Sequence, residues 1–168
     1  LLILKNAQVQ LLELSETNIL RSVEVIGNRI YTGSFEEFGY WEEGDTGQLS
    51  YTSLVGLLNG ENMNNDEIWS ITEYQSRIYF HSFGSIYVYD GHRVSRLAKE
   101  GSFMFLHKVG GQVYTQQIMG GLHRLENNEL RLIPESEFLA DEEVKSMIAL
   151  DNGDLLIGTT RGLYTYNG

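Results

Sequence analysis

An all-β chain assembled from repeated four-stranded antiparallel sheets is predicted by three observations. Short runs such as Arg77-Ile78-Tyr79-Phe80-His81 and Ile86-Tyr87-Val88-Tyr89 are rich in β-branched and aromatic residues and are bounded by Gly, Asn and Asp. They suit strands and are too short for stable helices. Glycine occurs 18 times against a single proline, Pro134, which points to many tight turns. Most tellingly, one pattern recurs four times: apolar strand, tight turn, apolar strand, polar loop, apolar strand.

The first copy runs from Ile19 through Val23, Val25 and Ile30 to Phe38-Gly39-Tyr40-Trp41. The second begins at Ile68-Trp69 and continues through Ile78-Tyr79-Phe80 to Ile86-Tyr87-Val88-Tyr89. The third begins at Phe103 and passes Val113-Tyr114-Thr115 to Leu122-His123-Arg124-Leu125. The fourth begins at Val144 and passes Leu155-Leu156-Ile157-Gly158 to Leu163-Tyr164-Thr165-Tyr166. The anchors Ile30, Ile78, Val113 and Leu155 are separated by 48, 35 and 42 residues, the size of a four-stranded propeller blade. Within each copy the step from anchor to third strand is 8, 8, 9 and 8 residues (30 to 38, 78 to 86, 113 to 122, 155 to 163). A spacing constant inside the repeat and variable between repeats is the mark of a structural unit with elastic connectors.

The expected units are an end of a blade at 1–14, blades at 19–54, 68–98 and 103–133, and an incomplete blade at 144–168. Residues 1–12 align without a gap on 86–97, which makes them the third and fourth strands of a blade. The chain opens inside the apolar run Leu1-Leu2-Ile3-Leu4 and ends at Tyr166-Asn167-Gly168. The expectation is therefore a β-propeller fragment cut mid-blade from a larger ring, with four sheets closing on themselves as the alternative. Helical turns are expected only at 53–58 and 135–142.

Composition excludes several functions. Twelve basic residues against 23 acidic ones leave a net charge of −11, the wrong sign for a nucleic-acid footprint. The absence of cysteine excludes a disulfide framework and a thiolate metal site. The longest apolar runs fall well short of the ~18 residues a membrane helix needs, so membrane attachment would lie in segments outside this chain. A 42% hydrophobic content argues for a folded domain.

Catalytic signatures are missing. His81, His92, His107 and His123 are scattered with no metal-ligand spacing, and no nucleophile elbow, phosphate loop or EF-hand loop appears. Glu36-Glu37 and Glu42-Glu43 are adjacent carboxylates of the kind glycosidases use, yet neighbours along a strand or turn point apart and read as solvated charge. The repeated boxes of propeller sialidases do not occur. No catalytic, cofactor or metal residue is expected, and a propeller glycosidase or lyase ranks last among the readings.

Loop chemistry locates the expected site. In a propeller the first-to-second and third-to-fourth turns share one face of the disc. Here they are minimal: Gly27-Asn28, Gln75-Ser76, Gly110-Gly111, Asp151-Asn152-Gly153, Asp90-Gly91 and Asn127-Asn128, with 42–48 the exception. The other face bears 34–37, 82–84, 116–121 and 159–161 and the long segments 55–67 and 134–143. Binding residues concentrate on such loops. Aromatic residues at strand ends and loop edges (Phe35, Phe38, Tyr40, Trp41, Trp69, Phe83) suit sugar rings or other amphipathic ligands. Tyr31, Tyr79 and Tyr114, at matching repeat positions, read instead as packing between blades, and Trp69 fits either role. The expected ligand contacts are Phe35, Glu36, Phe83, Gln116, Gln117 and Arg161.

The stretch 151–168, with Asp151-Asn152-Gly153-Asp154-Leu155-Leu156-Ile157-Gly158-Thr159 followed by Gly162-Leu163-Tyr164, resembles the two-component-regulator propeller repeat, departing from it at Leu156, where Trp is usual. Residues 32–41 are similar to propellers in sensor-regulators of Bacteroidetes, the hybrid two-component and LuxR-type triple-tyrosine regulators. The resemblance implies a periplasmic, ligand-sensing, non-catalytic propeller, usually seven-bladed, in a membrane-anchored regulator. It further implies a triple-tyrosine β-sandwich, a membrane helix and an output that is a histidine kinase or a helix-turn-helix. Glycan fragments are the implied ligands. Partners are then an oligosaccharide or other small ligand, the remaining domains of a longer chain and a second protomer in a homodimer. The competing reading is a protein-interaction propeller without a small ligand, its acidic surface docking a basic partner.

Overall fold

The computed structural model describes residues 2–5, 8–12, 19–63, 65–98 and 101–167. The expected blade ends at 1, 13–14 and 168 lie outside them. Seventeen strands are described, all paired antiparallel to their sequence neighbours, in five sheets taken in chain order. A leading pair, β1 (Leu2–Lys5) and β2 (Gln8–Leu11), precedes three four-stranded blades and one three-stranded blade. Blade I holds β3 (Ser22–Ile26), β4 (Arg29–Ser34), β5 (Glu37–Glu43) and β6 (Leu49–Ser53). Blade II holds β7 (Ser70–Tyr74), β8 (Arg77–His81), β9 (Ile86–Tyr89) and β10 (Val94–Ala98). Blade III holds β11 (His107–Val109), β12 (Gln112–Gln117), β13 (Gly121–Glu126) and β14 (Glu129–Leu132). Blade IV holds β15 (Val144–Ala149), β16 (Leu155–Thr159) and β17 (Leu163–Tyr166). The fold is a β-propeller arc, as the repeat predicts.

Register carries the repeat into space. Ile30 pairs with Trp41, Ile78 with Tyr89 and Leu155 with Tyr166, the same offset in three blades. Blade III is one residue longer, with Tyr114 opposite Arg124. Its β12–β13 turn holds the extra residue. The hairpins at Gln75-Ser76, Gly110-Gly111 and Asn127-Asn128 have both central residues at positive φ. That is the turn whose twist matches the flanking strands, and Gln75 and Ser76 adopt it without the freedom of Gly or Asn. The two expected helical turns are short 3-10 segments, Val55–Leu58 and Glu137–Asp141.

First strands of successive blades adjoin (β3 against β7, β11 against β15), as do the outer strands β10 and β14. Each blade is apolar on both faces, because strand side chains alternate and each face meets a different neighbour. The core is consequently divided into seams. Tyr31 and Phe38 of blade I pack on Ile78, Phe80, Tyr87 and Tyr89 of blade II. Tyr79 and Ile86 of blade II pack on Val113 and Leu125 of blade III. Tyr114 and Leu122 of blade III pack on Leu155 and Ile157 of blade IV. Tyr31, Tyr79 and Tyr114 thus fill the same place in three consecutive seams. Gly39 is required by close approach: a Cβ there would fall on the Thr52 carbonyl oxygen. No described helix is long and apolar enough to cross a membrane.

Candidate functional site

The lead-ins to the first strands and the second-to-third loops meet on one face. Arg21 immediately precedes β3, Trp69 immediately precedes β7 and Phe105 lies two residues before β11. Backbone bonds fix the first two lead-ins: Arg21 donates to the Gly33 carbonyl (2.9 Å) and Trp69 to that of His81 (2.8 Å). Phe83, in the β8–β9 loop, sits between the rings, 5.6 Å from Trp69 and 5.6 Å from Phe105 between centroids. The Arg21 guanidinium lies 5.1 Å over the Trp69 ring and donates from Nε to Glu67 Oε1 at 2.9 Å. A surface therefore crosses three blades, with a cation and a carboxylate at one end and three aromatic rings after it. Phe83 is 37% exposed, while Trp69 and Phe105 are half-buried.

His81 forms the floor. Its ring is fully buried, edge-on to Phe83 at 5.7 Å and 6.0 Å from Phe105. Nε2 donates to the Phe103 carbonyl at 3.2 Å, which leaves Nδ1 as the acceptor, without a partner among the described residues. Burial first, and repulsion from His107, push its pKa down to about 4, so the imidazole is neutral near pH 7.

The expected contacts scatter around this surface. Phe83 belongs to it. Phe35 is exposed at the β4–β5 turn and bridges Glu67, next to the Arg21 end. Glu36, in the left-handed region at φ 50°, accepts from the Asn65 amide at 2.9 Å. Gln117 bridges Phe103, two residues before Phe105 in the same lead-in. Arg161 is exposed in the β16–β17 loop of blade IV and is not part of the cluster. Gln116 faces inward: it is 1% exposed, its Nε2 donates to the Leu139 and Glu142 carbonyls, and its Oε1 accepts from the Val144 amide at 2.8 Å. With its amide engaged by backbone, the Gln116 side chain is a tie between blades III and IV and offers nothing to a ligand. Phe38 and Trp41, also read as strand-edge aromatics, are core.

Arg21, Glu67 and Phe105 were not among the expected contacts. A concavity of about 400 Å³ lies between Tyr114, Arg124, Arg131 and Tyr166 of blades III and IV. Its charges are satisfied internally, with Arg124 and Arg131 on Glu126 and Arg131 on Glu129. Among the described residues no group of three or more His, Asp or Glu side chains is placed to hold a metal ion.

No family model matches the chain, and no curated protein matches it. Solved structures do. The extracellular domain of BT4673 from B. thetaiotaomicron, described as a hybrid two component system, is 17% identical with a TM-score of 0.64. That alignment covers 96% of this chain and 22% of the other, so the chain spans under a quarter of it. YCF48 bound to D1 peptide is 15% identical at a TM-score of 0.63, covering 95% of this chain and 55% of that one. The computationally designed Ika4 protein is 15% identical at 0.61, covering 90% and 92%. At these identities the likeness establishes the fold.

Proposed function

We propose that this chain is a non-catalytic ligand-sensing propeller, part of an extracytoplasmic regulator, and that its ligand lies on the Trp69–Phe83–Phe105 surface. The observation that carries the reading is that surface itself: three rings from two blades, with the Arg21–Glu67 pair from a third junction at its edge. Ring faces stack on the apolar faces of sugars, and an adjacent cation and carboxylate bond hydroxyl groups, so a glycan fragment is the ligand class that fits. The periplasmic location, the membrane anchor and the kinase or helix-turn-helix output follow from the resemblance of 151–168 and 32–41. The likeness to an extracellular domain of a two component system supports the extracytoplasmic location.

Because the surface draws on blades I, II and III, a ligand bridging it favours one arrangement of those blades over another. Signalling then requires unequal affinity for two states of the protomer or of a dimer. The test is a thermal-shift titration against a panel of oligosaccharides, read in parallel by tryptophan fluorescence. The chain has two tryptophans, and Trp41 is buried in the core, so ligand quenching reports Trp69. A saccharide at a hundred times its Kd should add about 2.7 kcal/mol of stability, and Phe83→Ala should abolish that gain without unfolding the chain. A flat response across the panel, identical for wild type and Phe83→Ala, would remove the reading.

A further inference from the structure

Away from the aromatic surface, the junction of blades III and IV carries exposed apolar side chains beside a run of carboxylates on the blade connector. Met119 is 84% exposed, Phe138 49% and Ile118 42%. These are not stray residues on a mobile tail. The Met119 amide donates to the Ala140 carbonyl at 3.2 Å, and the Ile118 amide to that of Ser102 at 2.8 Å. The β12–β13 turn is thereby fastened to the 3-10 segment Glu137–Asp141, whose Phe138 ring packs 5.1 Å from Tyr164. Met119 is held at φ 63°. A β-unbranched L-residue in the left-handed region is a local strain, and here it turns a thioether side chain into solvent.

Most of the charge beside the patch is acidic, and Arg161 lies near Tyr164, on which Phe138 packs. Glu135, Glu137, Asp141 and Glu143 are exposed along the same connector. Lys145 pairs with Glu143, and among the described residues no cation pairs with Glu135, Glu137 or Asp141. Hydrated carboxylates beside exposed Met, Ile and Phe are complementary to one kind of partner.

We infer that this patch docks a basic amphipathic segment of another protein, its apolar side chains seated on Ile118, Met119 and Phe138 and its Lys or Arg residues facing Glu135, Glu137 and Asp141. Methionine suits such a seat because its unbranched, polarisable side chain repacks around different shapes. The run of carboxylates selects cations and repels acidic chains, including a second copy of this one at net charge −11. The inference stands independently of the saccharide surface.

The probe is a short synthetic peptide of leucine and lysine, with a leucine–glutamate peptide of the same length as control, measured by anisotropy on the full chain. The lysine peptide should bind, more weakly as salt rises. Glu137→Lys with Asp141→Lys should cut its affinity at least tenfold. Asp45→Lys with Asp151→Lys, an equal charge change in turns on the opposite face, should leave it nearly unaltered. Met119→Ser, at a side chain that packs on almost nothing, should weaken binding severalfold with the fold intact, which keeps the test decisive if the charge reversal disturbs the connector. Equal losses in both charge-reversal variants would reduce the effect to net charge and overturn the proposal. So would equal binding of the glutamate peptide, an unaffected Met119→Ser, or a concentration-dependent dimer that Met119→Ser dissolves, which would make a second copy the occupant.

Discussion

The seam between blades I and II and the seam between blades III and IV occupy equivalent places in the fold and are closed by different chemistry. The first is a stack of rings: Phe38 lies 4.6 Å from Phe80 and 5.3 Å from Tyr87, and Tyr31 lies 5.7 Å from Tyr40. At the second, the positions of Phe38 and Phe80 are Leu122 and Ile157, and a polar tie supplements the smaller side chains. Gln116 binds three backbone groups across the junction, while Glu142 accepts from Thr159 and, at 2.6 Å, from Tyr164. A blade interface is therefore specified by volume and by satisfied backbone groups, and either can be traded against the other. The middle seam holds both kinds, with Tyr79 and Ile86 beside buried His81.

The comparison is broken most severely at the ring stack. Phe80→Ala should cost about 3–5 kcal/mol, a fall of roughly 10 °C in melting temperature, whereas Ile157→Val at the matching position should cost about 1 kcal/mol. Near-equal losses would mean that the aromatic seam has no special share in stability. The middle seam should be the acid-sensitive one. His81 has a folded-state pKa of about 4, below the ordinary value of 6.5, so the unfolded chain binds the extra proton between those limits. Stability is full above pH 6.5 and is lost as pH falls toward 4, by on the order of 3 kcal/mol if burial is retained. Urea melts from pH 7.5 to 5 should show that slope, and His81→Asn should flatten it.

The polar tie comes next. Gln116→Leu keeps volume but strands the Val144 amide and two carbonyls, at a cost of about 2–3 kcal/mol, readable as a shift of the urea midpoint with an unchanged m value. A loss below half a kcal/mol would show that packing alone closes that seam. The smallest effect sharpens the picture rather than breaking it. Replacing Gln75-Ser76 by Asn-Gly relieves two left-handed residues but gives up the Gln75 Nε2 bond to the seam residue Tyr74 (3.3 Å), so it should stabilise by less than about 1 kcal/mol.

Much of this architecture was legible in the residues because blade interiors obey fixed offsets. The constant step of 8 or 9 residues located the second and third strands, and paired Gly, Asn and Ser marked the turns. The 3-10 segments fell inside the windows marked 53–58 and 135–142, and Tyr31, Tyr79 and Tyr114 were readable as seam residues from their matching positions. What could not be read was which neighbour covers a given side chain. Gln116 occupies a loop-edge position in the linear pattern, yet the 134–143 connector folds over it and claims its amide. Arg21 and Phe105 lie in lead-ins with no alternation, so nothing local marked the convergence of Arg21 on Trp69 or of Phe105 on Phe83. Phe38, Ile86 and Leu122 at one repeat position are each fully buried against the following blade. Burial here is a property of the neighbour.

The unequal distances between anchors, 48, 35 and 42 residues, also bear on how such a chain can change over generations. Hairpins such as Gln75-Ser76 fix strand register, and a single inserted residue there would swap the faces that two seams depend on. The blade-to-blade connectors carry no register, and doubling a flexible loop costs only about 0.6 kcal/mol in closure entropy. Insertions and deletions can therefore accumulate on one side of the disc, while the other, the 42–48 turn apart, stays closed to them. Graft experiments should find 59–62 permissive to a peptide tag and 27–28 intolerant. A lineage can thus revise its recognition face by length as well as by substitution, leaving its scaffold untouched.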